Sequence, residues 1–246
     1  MGSKVVSVLN PGRQNYRSAL SVQNHLVSRV QSNARSGLES GNTLILVEHP
    51  PVYTTGIRSR SYGQAEEERL VRLGAEFVRT NRGGLITFHG PGQLVCYPIL
   101  NLRDFAPPTT KRKVLLGMKW YVHTLEQMVI ELLDTLGVEG ARSPHTGVWV
   151  GQNKICAMGV HNNDLVTSHG LALNCDTDLV WFDHIVPCGI TEVGTGVTSL
   201  SKELATSVTI GDVEDKLIDH FREAFSCETR DCDSEDRTRI LSELNL

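Results

Sequence analysis

One helix-length apolar pattern, residues 113–136 with Gly137 as its stop, divides a chain whose other apolar residues fall largely into short runs. Before it, residues 4–9, 43–49, 76–79, 85–89 and 93–100 read as strands separated by turns. One of those breaks is Pro50-Pro51, which cannot continue a ladder. After it come residues 146–150, 154–160 and 165–174, and the turn-forming Asn162, Asn163 and Asp164 make the last two a hairpin. Shorter helices are predicted over 16–30, with Leu20, Gln23, Leu26, Val27 and Val30 on one stripe, over 64–73, and over 213–225. Thr209 and Asp212 have the spacing of a capping box ahead of the last. Two groups of strands around one long helix predict an α+β fold.

The chain has 246 residues, 40% of them hydrophobic and 21% charged, which suits one large globular domain. We place it at residues 1–226, with 227–246 a polar, acidic and mobile tail. A net charge of −4 argues against nucleic acid as a partner. No apolar run approaches the roughly 20 residues of a membrane span, so no membrane role is expected. The six cysteines form no C-x-x-C pair and match neither zinc nor disulfide spacings, which predicts a reducing compartment. Cys96 and Cys156, in apolar stretches, read as small buried hydrophobes. The first 38 residues lack Asp and Glu, a composition compatible with a mitochondrial transit segment. Their regular apolar spacing favours the first strand and helix of the domain, and a short targeting role stays open beside that.

Three stretches stand apart. In residues 81–99, Gly83 and Gly84 let a backbone approach a ligand, and HGPG at 89–92 is a tight turn that turn chemistry alone would explain. No Gly-Lys-Ser/Thr follows, so this is not a Walker phosphate loop. In residues 147–160, Lys154 opens an apolar strand, where a lysine either snorkels outward or is held for a purpose. In residues 168–190, His169-Gly170 precedes a strand, and Cys188 lies between Pro187 and Gly189 on a turn that would expose its thiol.

Together these blocks resemble the lipoyl(octanoyl) transferase family. The carriers are RGG-x-x-T-x-HGPGQL at 82–94, YPI at 97–99, GVW at 147–149, K-I-x-x-x-G at 154–159, HGLALN at 169–174, PCG at 187–189 and TSL at 198–200. The likeness runs from about residue 4 to 225 and is similar in wording to the animal, mitochondrial branch, which implies the mitochondrial matrix. It departs at Leu85, where many members carry a polar residue. The resemblance implies a mixed β-sheet flanked by helices, similar to the catalytic domain of biotin and lipoate ligases. It implies transfer of octanoyl from acyl carrier protein to a lysine of a lipoyl domain or of glycine cleavage H protein. Cys188 would then be the acyl-thioester intermediate and Lys154 the residue that lowers its pKa. The acyl pocket would be lined by Arg82, Gly83, Gly84, Leu85, Ile86, Thr87, Phe88 and His89, with Ala157, Met158 and Gly159 and with Gly170, Leu171 and Ala172.

That chemistry stands on its own terms. A thioester donor is already activated, so the transfer needs no ATP, no cofactor and no metal. The attacking species is thiolate, a minority form for a free cysteine of pKa about 8.5, and a neighbouring ammonium favours it. Acylation of Cys188 followed by transfer to an amine predicts ping-pong kinetics. Amide N–H groups near Gly189 are candidates for the oxyanion, and His89 or His169 for proton handling. Lys111, Arg112, Lys113 and Lys119 are either a contact for an acidic carrier protein or, as we favour, the solvated start of the long helix. An ATP-dependent ligase would have no use for the Pro-Cys-Gly thiol. A silent acyl-binding module and a cysteine hydrolase are the other readings, and a monomer is the expected state.

Overall fold

The computed structural model describes residues 4–58, 62–105, 117–186 and 194–243. The strands are β1 (Val5–Arg13), β2 (Thr43–Glu48), β3 (Val52–Thr55), β4 (Glu76–Arg79), β5 (Thr87–His89), β6 (Gln93–Ile99), β7 (Val148–Val150), β8 (Asn153–Asn163), β9 (Val166–Asn174), β10 (Gly196–Val197) and β11 (Glu228–Asp231). The helices are α1 (Tyr16–Arg35), α2 (Gln64–Val71), α3 (Met118–Thr135), α4 (Leu200–Leu204), α5 (Glu214–Phe225) and α6 (Ser234–Glu243). The main sheet runs β10-β8-β9-β6-β2-β1-β11, with β7 also on β8, and a small sheet runs β4-β3-β5. β1 is parallel to β2 and β11, and β10 to β8; the other pairs of the main sheet are antiparallel. The fold is therefore α+β with a mixed sheet, as the sequence predicts.

Side-chain alternation sorts the strands onto two cores. Leu44 and Leu46 of β2, Leu94 and Cys96 of β6, and Leu171 and Leu173 of β9 share one cluster with Leu125, Met128 and Leu132 of α3 and Leu217 and Phe221 of α5. The intervening Ile45, Val47, Val95, Tyr97, Ile99 and Ala172 join Tyr16, Ala19, Val22, Leu26 and Val30 of α1 on the other face. The spacing of those α1 residues is a single helical stripe, which fixes the face the helix presents. Phe77, Ile86, Phe88 and Phe182 form a third cluster on the small sheet.

Several elements differ from expectation. β3 directly follows the Pro50-Pro51 break, and β5 begins at Thr87, not at Leu85. The β8–β9 hairpin turns at Asp164-Leu165, both at positive φ, so Asn162 and Asn163 remain in the strand. Asp212 accepts from the Thr209 amide as a capping box does, but the box opens a short 3₁₀ turn before α5. The expectation of a mobile tail after residue 226 is corrected over its described part. β11 pairs with β1 in register, and Ile240 of α6 is buried in the α1 core. The polar composition hid these contacts, because β11 needs only backbone hydrogen bonds. Of the basic cluster, Lys119 lies in α3, while Lys111, Arg112 and Lys113 lie outside the described residues.

Candidate active site

Where β8, β9 and β6 face the N-terminus of α1 and the small sheet, a cavity of about 190 Å³ opens. Its floor owes its depth to the smallest side chains: Ala157 registers against Ala172 and Gly159 against Gly170 across β8 and β9. A Cβ on Gly159 would stand 2.8 Å from the Gly83 carbonyl oxygen, because the 82–84 loop lies directly over the strand and the Gly83 amide donates to Val160 (2.9 Å). Arg82, itself buried, clips that loop shut. Its guanidinium donates to the carbonyls of Thr54 (2.7 Å), Gly83 (3.0 Å) and Leu85 (2.9 Å) and to the Thr54 hydroxyl (2.9 Å).

Lys154 stands in the cavity wall at 5% exposure. Its Nζ donates to the Thr146 carbonyl (2.9 Å) and sits 4.9 Å from the centroid of the Trp149 ring. No carboxylate among the described residues lies within ion-pair distance of it. Both neighbours follow from the local fold: β7 brings Trp149 into register with Lys154, and β10 pairs Val197 with Lys154 on the other edge. Gly147, at φ +123°, must lack a Cβ, which would lie 2.5 Å from the Cys156 carbonyl oxygen and 3.3 Å from the Lys154 stem.

A hydrogen-bonded chain joins the motif blocks. His89 Nδ1 pairs with Gln93 Oε1 (2.8 Å), Gln93 Nε2 donates to Asn174 (2.9 Å), Asn174 to the Thr198 carbonyl (2.9 Å), and the Thr198 amide to the Lys154 carbonyl (3.0 Å). On the α1 side, His169 Nε2 pairs with Asn81 Oδ1 (2.8 Å) and its Nδ1 with the Tyr16 hydroxyl (3.5 Å), while His49 Nε2 pairs with the Tyr97 hydroxyl (2.9 Å). Burial holds these imidazoles uncharged. It lowers the pKa of His49 to about 4 and, helped by the Arg82 charge, that of His169 to about 3, and it drives His89 well below the usual range. Tyr16 is pushed up to about 12 by burial, and Tyr97 rises for the same reason. These groups are neutral donors and acceptors near pH 7.

Burial also pushes up the thiols of Cys96, Cys156, Cys175, Cys227 and Cys232, so all five described cysteines are poor nucleophiles. Cys188 and the Gly189 amide lie outside the described residues. Of the other residues predicted for the site, Arg82, Gly84, Leu85, Thr87, His89, Lys154, Ala157, Met158, Gly159, Gly170, Leu171 and Ala172 all line the cavity. Ile86 and Phe88 do not; alternation along the strand turns them into the small-sheet core, and Gly83 is covered by Val160. Tyr16, Tyr97, Arg58, Pro144, His145 and Thr146 complete the wall and were not predicted. Tyr97 stood inside a quoted block, YPI, and was the one legible signal among them.

Residues 15–222 match the family described as Lipoyl protein ligase A/B catalytic domain. The chain is 54% identical over 222 residues to the mitochondrial octanoyl-acyl-carrier-protein:protein N-octanoyltransferase LIPT2 of Danio rerio, covering 90% of this chain and 93% of that one. It is 44% identical to the protein of the same name from Homo sapiens, covering 92% and 96%. Its fold superposes with a TM-score of 0.67 on the bi-partite lipoate protein ligase of Thermoplasma acidophilum, at 16% identity and covering 100% of this chain and 92% of that one. With residues of several described sequence blocks lining one cavity on this fold, the chain belongs to the lipoyl protein ligase A/B catalytic-domain family and, within it, to the octanoyltransferases of the animal, mitochondrial branch.

Proposed function

We propose that this protein is an acyltransferase of mitochondria that moves octanoyl from octanoyl-acyl carrier protein to a lysine of a lipoyl domain, through a thioester on Cys188. The observation that carries this reading is Lys154: a buried amino group on a cavity wall, held by a carbonyl and an aromatic face and by no described carboxylate. A cation so placed is free to stabilise an anion that enters, and a thiolate is the anion the chemistry requires. Two further facts support Cys188 as its source. The other five cysteines, three buried and Cys227 and Cys232 partly so, are pushed towards the neutral thiol. The chain that follows the Pro-Cys-Gly block rejoins the sheet at β10, directly beside Lys154.

In the first half-reaction the Cys188 sulfur attacks the donor carbonyl, a new C–S bond forms, the old one breaks, and the carrier thiol leaves with a proton. In the second, the acceptor amine attacks, the C–N bond forms, and sulfur departs as thiolate while the amine proton passes to solvent or to the site. The Ala157–Ala172 and Gly159–Gly170 floor takes the octanoyl chain, each buried methylene contributing about 0.8 kcal/mol. Arg82 fixes the loop that roofs it. Glycine cleavage H protein is a further acceptor, the matrix is the site of action, and the enzyme works as a monomer of one catalytic domain.

Incubation with octanoyl-acyl carrier protein tests this by intact mass. The expected result is one octanoyl adduct that hydroxylamine removes and Cys188→Ala abolishes. An adduct that forms only with ATP points to a ligase, and free octanoate as the main product to a hydrolase.

A further inference from the structure

The amino group of Lys154 is not held by Thr146 alone. The Thr146 carbonyl that accepts from Lys154 Nζ belongs to the same peptide unit as the Gly147 amide, and that amide donates to Glu126 Oε1 at 3.0 Å. In a trans peptide the two groups point in opposite directions, so one flat unit links a carboxylate on one side to an amine on the other. Glu126 is 8% exposed, on the inner side of α3, and its second oxygen accepts from Arg142 Nε at 3.2 Å. Arg142 in turn donates to the His123 carbonyl (3.0 Å) and to Gln127 (2.8 Å), which pins it along the helix. The glycine at 147 allows the unit to take this orientation, at a φ other residues rarely adopt.

Hydrogen bonds in series polarise one another, and a charged acceptor at one end strengthens the next bond along. An anion on the Gly147 amide makes the Thr146 oxygen a better acceptor for Lys154. The Trp149 ring closes the other side; its indole Nε1 donates to the His145 carbonyl (3.0 Å), so the face presented to Lys154 is fixed.

We infer that Glu126 is a positioning residue: through the 146–147 peptide it sets the place of the Lys154 amine in the cavity wall, although it touches neither substrate nor Lys154. This rests on the reading of Lys154 given above.

Glu126→Gln, close in shape, tests the inference with two readouts. In steady-state octanoyl transfer, kcat falls about 10-fold, as for other residues that orient an active group, while KM stays within about twofold. In the second readout, Lys154 is labelled with limiting acetic anhydride and quantified by peptide mass spectrometry. Its acetylation rises about threefold or more, because a weaker contact with the Thr146 carbonyl releases the amine for attack. Both are measured on protein that elutes as folded by size exclusion. Arg142→Gln is the control, since it removes the ion pair and leaves the Gly147 contact; kcat there stays within about twofold. An unchanged kcat and unchanged acetylation in Glu126→Gln overturn the inference, and so does an equal loss in Arg142→Gln, which would make the effect one of helix packing. The acetylation result does not depend on Cys188. Wild-type protein that never gains a hydroxylamine-labile octanoyl group therefore removes the proposed function and leaves this inference to be judged on Lys154 alone.

Discussion

The two faces of the main sheet share strands but not chemistry. Towards α3 and α5, β6 and β9 present Leu94, Cys96, Leu171 and Leu173, and the layer is close to uniformly apolar. Towards α1, the same strands present Tyr97, His169, Gly170 and Ala172, and with His89 and Lys154 they bound a cavity rich in neutral polar groups. Alternation forces the two layers to be built together. A residue's consequences should therefore depend on parity along its strand, except at His169, whose positive φ turns its ring to the α1 side.

Replacing Lys154 by Met should cost the most. Transfer falls by about 10³-fold, equivalent to about 4 kcal/mol, and alkylation of Cys188 by iodoacetamide near pH 7 slows with it. Equal alkylation in both proteins would remove the amine from its role on the wet face. On the opposite face, Leu173→Ala should cost about 3 kcal/mol of stability, read from urea midpoints, with the kcat of the folded fraction unchanged. A drop in kcat without a drop in stability would break the division between the faces.

A pH titration sharpens the contrast, since the uncharged imidazoles lie on one face only. An imidazole whose folded pKa lies below the unfolded value of about 6.5 binds protons more weakly when folded. Its contribution to stability is thus complete above pH 6.5 and is lost as the pH falls, down to about 4 for His49 and about 3 for His169. Each slope approaches about 1.4 kcal/mol per pH unit, and His49→Gln should flatten the urea-midpoint curve between pH 6.5 and 4.5. A wild-type curve already flat over that range would contradict the buried neutral state. The smallest effect is one of selectivity. Ala172→Val shortens the floor, and each methylene excluded from the cavity is worth about 0.8 kcal/mol. Hexanoyl should therefore gain on octanoyl by roughly fourfold per methylene in kcat/KM; an unchanged ratio would place the chain elsewhere.

The sequence made the blocks legible where a local rule demanded a particular residue. Gly83 and Gly84, the HGPG turn, and Lys154 at the start of an apolar strand all break the surrounding pattern, and of these Gly84, His89 and Lys154 line one cavity. What stayed hidden depended on tertiary neighbours. Tyr16 looks like the first residue of an amphipathic helix, and only its place beside His169 and Tyr97 makes it a wall of the site. Ile86 and Phe88 share a block with Thr87 and His89, yet the pleat sends them the other way. Glu126 has the spacing of an ordinary polar helix position, and nothing local marks it as facing Gly147. The hairpin after β8 was legible, but its turn falls later than Asn162-Asn163, at Asp164-Leu165, because a leucine at positive φ gives no turn signal.

The pairing of β11 with β1 has a bearing on how the molecule comes into being. Val5 takes Glu228, far later in the chain, as its outer neighbour, so β1 lacks its outer partner until that later segment is available. An unpaired flank of this kind is a template for other chains, and its closure belongs to the slow, long-separation contacts of assembly. The short, charged β11 thus takes over from apolar β1 as the outer strand, and a protein truncated after Phe225 would expose β1 as an adhesive border instead.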